Sequence, residues 1–407
     1  MLDERILAER LISYDTSRAE ELIAAAGFVK GWLESRDIEV RGHDHNGLPV
    51  LLAEVGAAAA PDIPCVILHG HLDVVPGRAE QFEPVIDGDR LIGRGAYDMK
   101  GGLAAMMCAL KDVERQSRVH VLLVCVPDEE SEEIDERSTD AILKQGPLAL
   151  RGDFAITGEP TDMHIGVEAK GVLAMRIEVQ GRAAHSSTPW LGDNAVLKAI
   201  DAFRSIESLP FARESSEMFD RPSINLGRIE GGRALNMVPD LCAMAVDIRY
   251  LPNQDPEAIL EQVRGVEGLE VTRTFIYPPV SVSRTDPYVR ALREAVQRSS
   301  RGEVMSVGRD GASDAAAFID AGILAVEFGP AGGGHHGPEE WVSISSLARY
   351  RRALADFVRA VPIWLPPAWH PASPDGAGQM SSGWLEGGSS EPPDDEPGLR
   401  AIEGGLA

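Results

Sequence analysis

Residues 65–76 read CVILHGHLDVVP, an apolar run of strand length that stops in His69, Gly70, His71 and Asp73. Two further runs share this form. HVLLVCVP (120–127) passes into Asp128-Glu129-Glu130-Ser131-Glu132-Glu133, and DFAIT (153–157) passes into Gly158-Glu159-Pro160. Unbroken apolar runs of about four to eight residues suit strands buried on both faces, as in a parallel sheet. Between the first two lies GGLAAMMCALKDV (101–113), which has helical periodicity, so the order predicts βαβ units around a largely parallel sheet flanked by helices. In open sheets of that kind ligands bind at the carboxyl ends of strands, so the three polar clusters are placed to converge.

Toward the N-terminus, residues 19–35 set Leu22, Ile23, Phe28, Val29, Trp32 and Leu33 on one helical face, and LPVLLAEV (48–55) follows as a strand. From Gly171 the texture changes. VLAMRIEVQG, SINLGRIEGG and LCAMAVDIRYLP read as alternating strands, with NAVLKAIDAFRSI and PEAILEQVRGV as helices between them. This predicts an α+β unit with an antiparallel sheet over 172–283. The helix VRALREAVQ and the strand GILAVEFG then restore the first texture, so the α+β unit is inserted into a domain formed by 1–171 and 284–365. Residues 366–407 hold 7 Pro, 8 Gly, 5 Ser and 7 acids against the single base Arg400, the composition of a disordered tail.

The 407 residues carry 39 Lys+Arg against 64 Asp+Glu, a net charge of −25, and 44% are hydrophobic. At roughly 150 residues per domain this is an ordinary globular chain of two or three domains. Its charge repels phosphate backbones and anionic lipid, which excludes a nucleic-acid or membrane-surface partner. No stretch reaches the ~20 apolar residues of a membrane span. Cys65, Cys108, Cys125 and Cys242 stand singly in apolar runs, without metal-finger spacing, and read as reduced thiols. The N-terminal MLDERILAERLISYDTS lacks the apolar core of a signal peptide, so the expected location is cytoplasmic.

Each polar cluster alone has an ordinary structural account. His71-Leu72-Asp73 is loop polarity or a metal ligand with its orienting carboxylate. Gly93-Arg94-Gly95-Ala96-Tyr97-Asp98-Met99-Lys100-Gly101-Gly102 fits neither the P-loop nor the dinucleotide fingerprint, leaving a helix-capping turn or a metal site. Asp128-Glu129-Glu130-Ser131-Glu132-Glu133 reads as a solvated loop, as expected of Glu132 and Glu133, or holds a pair of adjacent carboxylates in which one binds metal and the other takes a proton. Gly332-Gly333-Gly334-His335-His336-Gly337 offers paired imidazoles on a flexible loop.

The order of eight motifs decides between these accounts. HGHLDVVPG, GRGAYDMKGG, DEE, GEP, GRAAHSSTPWLGDNAV, LNMVPDLCAMAVDIR, GASDAAAF and HHGPEEWV together resemble the metallopeptidase family of acetylornithine deacetylase, succinyl-diaminopimelate desuccinylase, aminoacylase and glutamate carboxypeptidase, over about residues 5–360. The resemblance implies a phosphorylase/hydrolase-like α/β catalytic domain with a mixed, largely parallel sheet, a ferredoxin-like inserted lid that also dimerises, and two Zn2+ per subunit, with Co2+ as a substitute. It implies His71, Asp98 and Glu159 around one metal, and Glu130, His336 and the bridging Asp98 around the other. His336 is chosen over His335 because the family places its His four residues before a Glu, which here aligns as Glu340. Asp73 would orient His71, and Glu129 would be the general base. From the lid, His185, Asn236 and Arg249 would face the substrate, His185 reaching into the partner subunit's site, and Ser313 would line the substrate's place. Two divalent ions would balance three carboxylates and a bridging hydroxide. The implied reaction is hydrolysis of a small N-acyl amino acid whose free carboxylate Arg249 takes bidentately. A dipeptidase or glutamate-carboxypeptidase activity is the alternative within the family. A non-catalytic scaffold would be expected to lose a ligand or the base, and this chain keeps them all.

Overall fold

The computed structural model describes residues 3–130, 137–144, 150–300 and 302–365. The expectations for Glu132, Glu133 and the 366–407 tail lie outside the described residues.

Cys65–His71 forms the middle of a nine-stranded sheet, with His120–Val126 on one side and Phe154–Thr157 on the other, both parallel to it. Leu324–Glu327 extends the parallel set beyond Phe154–Thr157. His120–Val126 is buried at all of its positions, as its unbroken apolar sequence requires. The flanks supply the antiparallel part of this mixed, largely parallel sheet. Val40–His45, Leu48–Gly56 and His120–Val126 pair antiparallel, as does Val280–Ser281 with Ile165–Ala169. Helix Lys100–Val113 packs on Asp3–Ile12 and on the long helix Ile344–Trp364. A Cβ at Gly70 or Gly158 would drive into Met99 Cε, so these two glycines let Met99 pack between the strand ends and bring the preceding Asp98 to the sheet's carboxyl edge.

Gly171–Gln180, Ser223–Gly231, Leu241–Tyr250 and Leu269–Tyr277 form a separate antiparallel sheet in which the second and third strands, then the first, then the fourth lie side by side. With helices Ala195–Glu207 and Pro256–Arg264 between them, this is the ferredoxin-like connection. Asn194 and Asp255 cap these helices through Val196 N (3.0 Å) and Glu257 N (3.0 Å). Leu173, Ile177, Val246, Ile248 and Leu260 belong to this unit's own core. Its fourth strand, Leu269–Tyr277, was not among the expected ones. The chain crosses between the two sheets at Lys170 and at Pro278-Pro279. Among the described residues no helix is long and apolar enough to cross a membrane.

Candidate metal centre

Asp98 is the hub. His71 Nε2 lies 3.0 Å from its Oδ1, whereas its Oδ2 is met closely by His335 Nε2 and at 3.4 Å by His336 Nε2. On the Oδ1 side Glu159 Oε1 stands 3.9 Å from His71 Nε2, is buried, and has no hydrogen-bond partner. On the Oδ2 side His336 Nε2 reaches Glu130 Oε1 at 3.0 Å. Potential ligand atoms of His71, Asp98 and Glu130, and of Asp98, His335 and His336, fall within 4.8 Å of one another. These imidazole nitrogens and carboxylate oxygens present lone pairs to one another, so a cation, either a proton or a metal, must lie among them. The donor set of carboxylates and imidazoles fits zinc or cobalt, and the partnerless Glu159 oxygen fits a ligand awaiting its ion.

The protonation pattern follows from that crowding. Burial alone would strip His71 of its proton, but the Asp73 and Asp98 carboxylates hold its pKa well above the usual imidazole range. Asp98 is held well below the carboxylate range, against its burial, by His335, His336 and His71. Hydrogen bonds donated to the Asp98 and Glu130 carboxylates push His336 up to about 10. Burial, with the nearby Asp98 charge, raises Glu159 well above its usual value. Burial pushes Glu129 up to about 8, opposed by Arg137.

The expected ligands His71, Asp98, Glu130, Glu159 and His336 are thus brought together. His335, expected outside the set, also meets Asp98, with its ring edge-on to Tyr97. Asp73 does more than orient His71. Its main-chain carbonyl accepts from His71 Nδ1 at 3.0 Å, and its carboxylate accepts from Glu129 N (3.2 Å) and Glu130 N (2.8 Å). Two positioning groups were missed. Glu340 accepts from the main-chain N–H groups of Tyr97 (2.9 Å) and Asp98 (3.0 Å) and pairs with Arg94 at 2.8 Å, while Arg94 donates to the His336 carbonyl at 3.0 Å. Arg94 and Glu340 stood in quoted motifs with no role assigned. Arg137, on Glu129 at 3.0 Å, is the other, and it stood outside every quoted motif.

A cavity of about 700 Å³ opens onto Asp98, Glu129, Glu130 and Glu159. Its opposite wall is the open face of the inserted sheet, whose other face carries the helices. Arg249 and Tyr277 both pair with Val172, one from each side, and Phe275 pairs with Ala174 on the same face. Arg249, Val172, Phe275 and Tyr277 all line the cavity, with Arg249 paired to Asp247 at 2.9 Å. Ser313 lines it too, but its hydroxyl donates to Glu327 at 2.8 Å. His185 and Asn236 are not brought in. They are exposed neighbours on the inserted unit, outside the cavity's lining, and Ser187 N donates to His185 Nδ1 at 3.2 Å, which leaves Nε2 as the ring's N–H.

Residues 67–360 match the model of peptidase family M20/M25/M40. A protein of Aspergillus terreus named "Probable carboxypeptidase" is 32% identical over 63% of this chain, and the match spans only 63% of that relative's length. The succinyl-diaminopimelate desuccinylase of Corynebacterium glutamicum is 29% identical over 65% of this chain and 72% of its own. Among solved structures, the M20 family metallo-carboxypeptidase Sso-CP2 from Sulfolobus solfataricus shares the fold, with a TM-score of 0.72 at 22% identity over 89% of this chain and 100% of that one.

Proposed function

This chain belongs to peptidase family M20/M25/M40, and from that premise we propose that it hydrolyses the amide bond of a small N-acyl amino acid with two divalent cations, zinc or cobalt, at Asp98. The observation that carries this reading is the double approach to Asp98, one oxygen facing His71 and the other facing His335 and His336. His71, Asp98 and Glu159 would hold one ion. Asp98, Glu130 and His336 would hold the other, His336 being preferred because it alone of the two histidines also meets Glu130. When bound, such ions acidify a shared water and polarise the scissile carbonyl.

Glu129 takes the proton of the attacking water. Oxygen adds to the carbonyl carbon, the C–N bond breaks, and the proton passes from Glu129 to the leaving nitrogen, giving a carboxylic acid and an amine. Burial raises the proton affinity of the Glu129 carboxylate and the charge of bound cations would oppose that rise, which suits a group that both takes and releases a proton. Asp73 keeps Glu129 and Glu130 in register through their main-chain N–H groups. Across the cavity Arg249 takes the substrate's carboxylate in exchange for Asp247, and Ser313 lines the space between.

His185 serves the oxyanion from the partner subunit of a homodimer, donating from Nε2. Its exposure and its absence from its own cavity's lining support that assignment, as do the exposed Leu197, Ile200, Ile229 and Leu241 on the helix and strands at one edge of the inserted sheet, 172–283, which acts as lid and dimer contact. Four unpaired cysteines, three of them buried, support a reducing, cytoplasmic location.

The test is hydrolysis by metal-loaded protein of N-acetylornithine, N-succinyl-diaminopimelate, other N-acyl amino acids and dipeptides. Preferential release of the acyl group supports the deacylase, preferential dipeptide cleavage supports the peptidase alternative, and no cleavage with both ions bound refutes the reading.

A further inference from the structure

We propose that Arg137 is a positioning residue that fixes the carboxylate of Glu129 toward the cavity. The role rests on the reading of Glu129 as the base. Arg137 Nη1 is shared between Glu129 Oε1 at 3.0 Å and Asp314 Oδ1 at 3.2 Å. Asp314 is a firm anchor. It is buried, its other oxygen accepts from Thr139 Oγ1 at 2.5 Å, and His69 Nε2 lies 3.3 Å from that same oxygen. Asp314 immediately precedes helix Ala315–Asp320, Thr139 is in helix Ser138–Lys144, and His69 is in the central strand Cys65–His71, so three elements hold the far end of the guanidinium. Glu129 is held at its main chain by Asp73 and at its carboxylate by Arg137, which fixes the side chain at both ends.

Arg137 lines the cavity, so the competing role is direct capture of a substrate anion. Charge balance favours positioning. One guanidinium facing the carboxyl groups of Glu129 and Asp314 leaves the trio at −1 when Glu129 is ionised and at 0 when it is protonated, with no spare positive charge for a third carboxylate in either state. A reacting group displaced by about 1 Å can lose about 10²-fold in rate, which is what the clamp prevents.

The experiment compares wild type, R137M, R137K, E129Q and the E129Q/R137M double variant as metal-loaded protein, with metal content and thermal unfolding checked for each. Turnover is read on N-acetylornithine, or on N-succinyl-diaminopimelate if the first is not cleaved. R137M is expected to lose about 10- to 100-fold in kcat with KM within about twofold, R137K to recover part of that loss, and R137M to change kcat by less than about twofold in the E129Q background. A tenfold rise in KM at unchanged kcat would make Arg137 a substrate-holding residue, and an undiminished loss in the E129Q background would show that it acts independently of Glu129. Either overturns the proposal. Near-normal turnover of E129Q alone would remove Glu129 as the base, a separate failure. A readout independent of any substrate is the crystal structure of metal-loaded R137M. Displacement or disorder of the Glu129 carboxylate is expected, and an unmoved, ordered carboxylate overturns the proposal.

Discussion

Replacing Glu340 by Gln keeps the side chain's shape and removes its charge from a place where the fold spends that charge three times. One carboxylate oxygen accepts from the Tyr97 and Asp98 N–H groups, the other from Arg94, and all three partners belong to the loop that presents Asp98. Glu340 is 1% and Arg94 4% exposed, and Arg94 Nε has no hydrogen-bond partner, so an amide at 340 leaves a buried guanidinium without its counter-charge. Breaking a buried pair from one side costs about 3–5 kcal/mol. At about 2–4 °C per kcal/mol for a unit of this size, the metal-free protein should melt roughly 6–20 °C lower. Because Arg94 also holds the His336 carbonyl, both loops around the second ion loosen, and metal affinity should fall about 10- to 100-fold, as for other groups that orient ligands. Thermal unfolding in EDTA and calorimetric zinc titration measure the two effects separately. The R94M/E340M double variant removes both charges and should recover much of the stability but not the affinity, since the Asp98 N–H group has still lost its acceptor. An E340Q protein within about 1 kcal/mol of wild type in EDTA, binding zinc as tightly, would refute the reasoning.

Asp98→Ala should bind neither ion, because its two oxygens meet His71 on one side and His335 and His336 on the other, and elemental analysis finding two metals would reassign the bridge. In EDTA the raised pKa values of His71 and His336 act as stability that is fully present below the ordinary 6.5 and lost as pH rises through the folded values, about 10 for His336. H336A should therefore lose less stability than wild type between pH 6.5 and about 10, and equal melting curves for the two proteins across that window would contradict the pairing. Arg249→Lys should lower kcat/KM by about tenfold or more on a carboxylate-bearing substrate with metal content unchanged. An equal loss on the carboxamide analogue would show that Arg249 reads something else.

The central strands and the ligand loops were legible because burial on both faces leaves an unbroken apolar run, and a run that ends in His, Asp or Glu advertises its polar terminus. Leu269–Tyr277 was not legible, because it lies at the edge of the inserted sheet with most positions at least partly exposed, so LEVTRTFIY carries no core-facing pattern. Which strands of the mixed sheet run antiparallel was not legible for a related reason, since apolar content reports burial and not direction. Among site residues, His71, Glu130 and Glu159 stood where the strand ends put them, and Asp98 in the turn that enters helix Lys100–Val113. The competition between His335 and His336 for Asp98 was invisible, because which of two adjacent rings turns inward depends on backbone angles, and His336 holds a left-handed φ of 56°. Arg137 and Asp314, about 180 residues apart, meet each other only through the packing of separate elements.

Two kinds of charge compensation therefore share this end of the sheet. Asp98 finds its ion-pair partners in imidazoles, whereas Glu340 is paired with a guanidinium that cannot lose its charge. Compensation by imidazole is exchangeable. A metal that enters must displace the protons that His71 and His336 carry in its absence, so affinity rises with pH, and the free energy of binding reappears as stability of the loops that supply the ligands. Compensation by Arg94 is permanent and holds the main chain of Asp98 whether or not cations are present. This division lets the ligand side chains change partners without the loops losing their positions, and it predicts which variants separate metal binding from folding. Changes at Asp98, Glu130 or His336 act first on the ions, while changes at Arg94 or Glu340 act on the loops before any ion arrives.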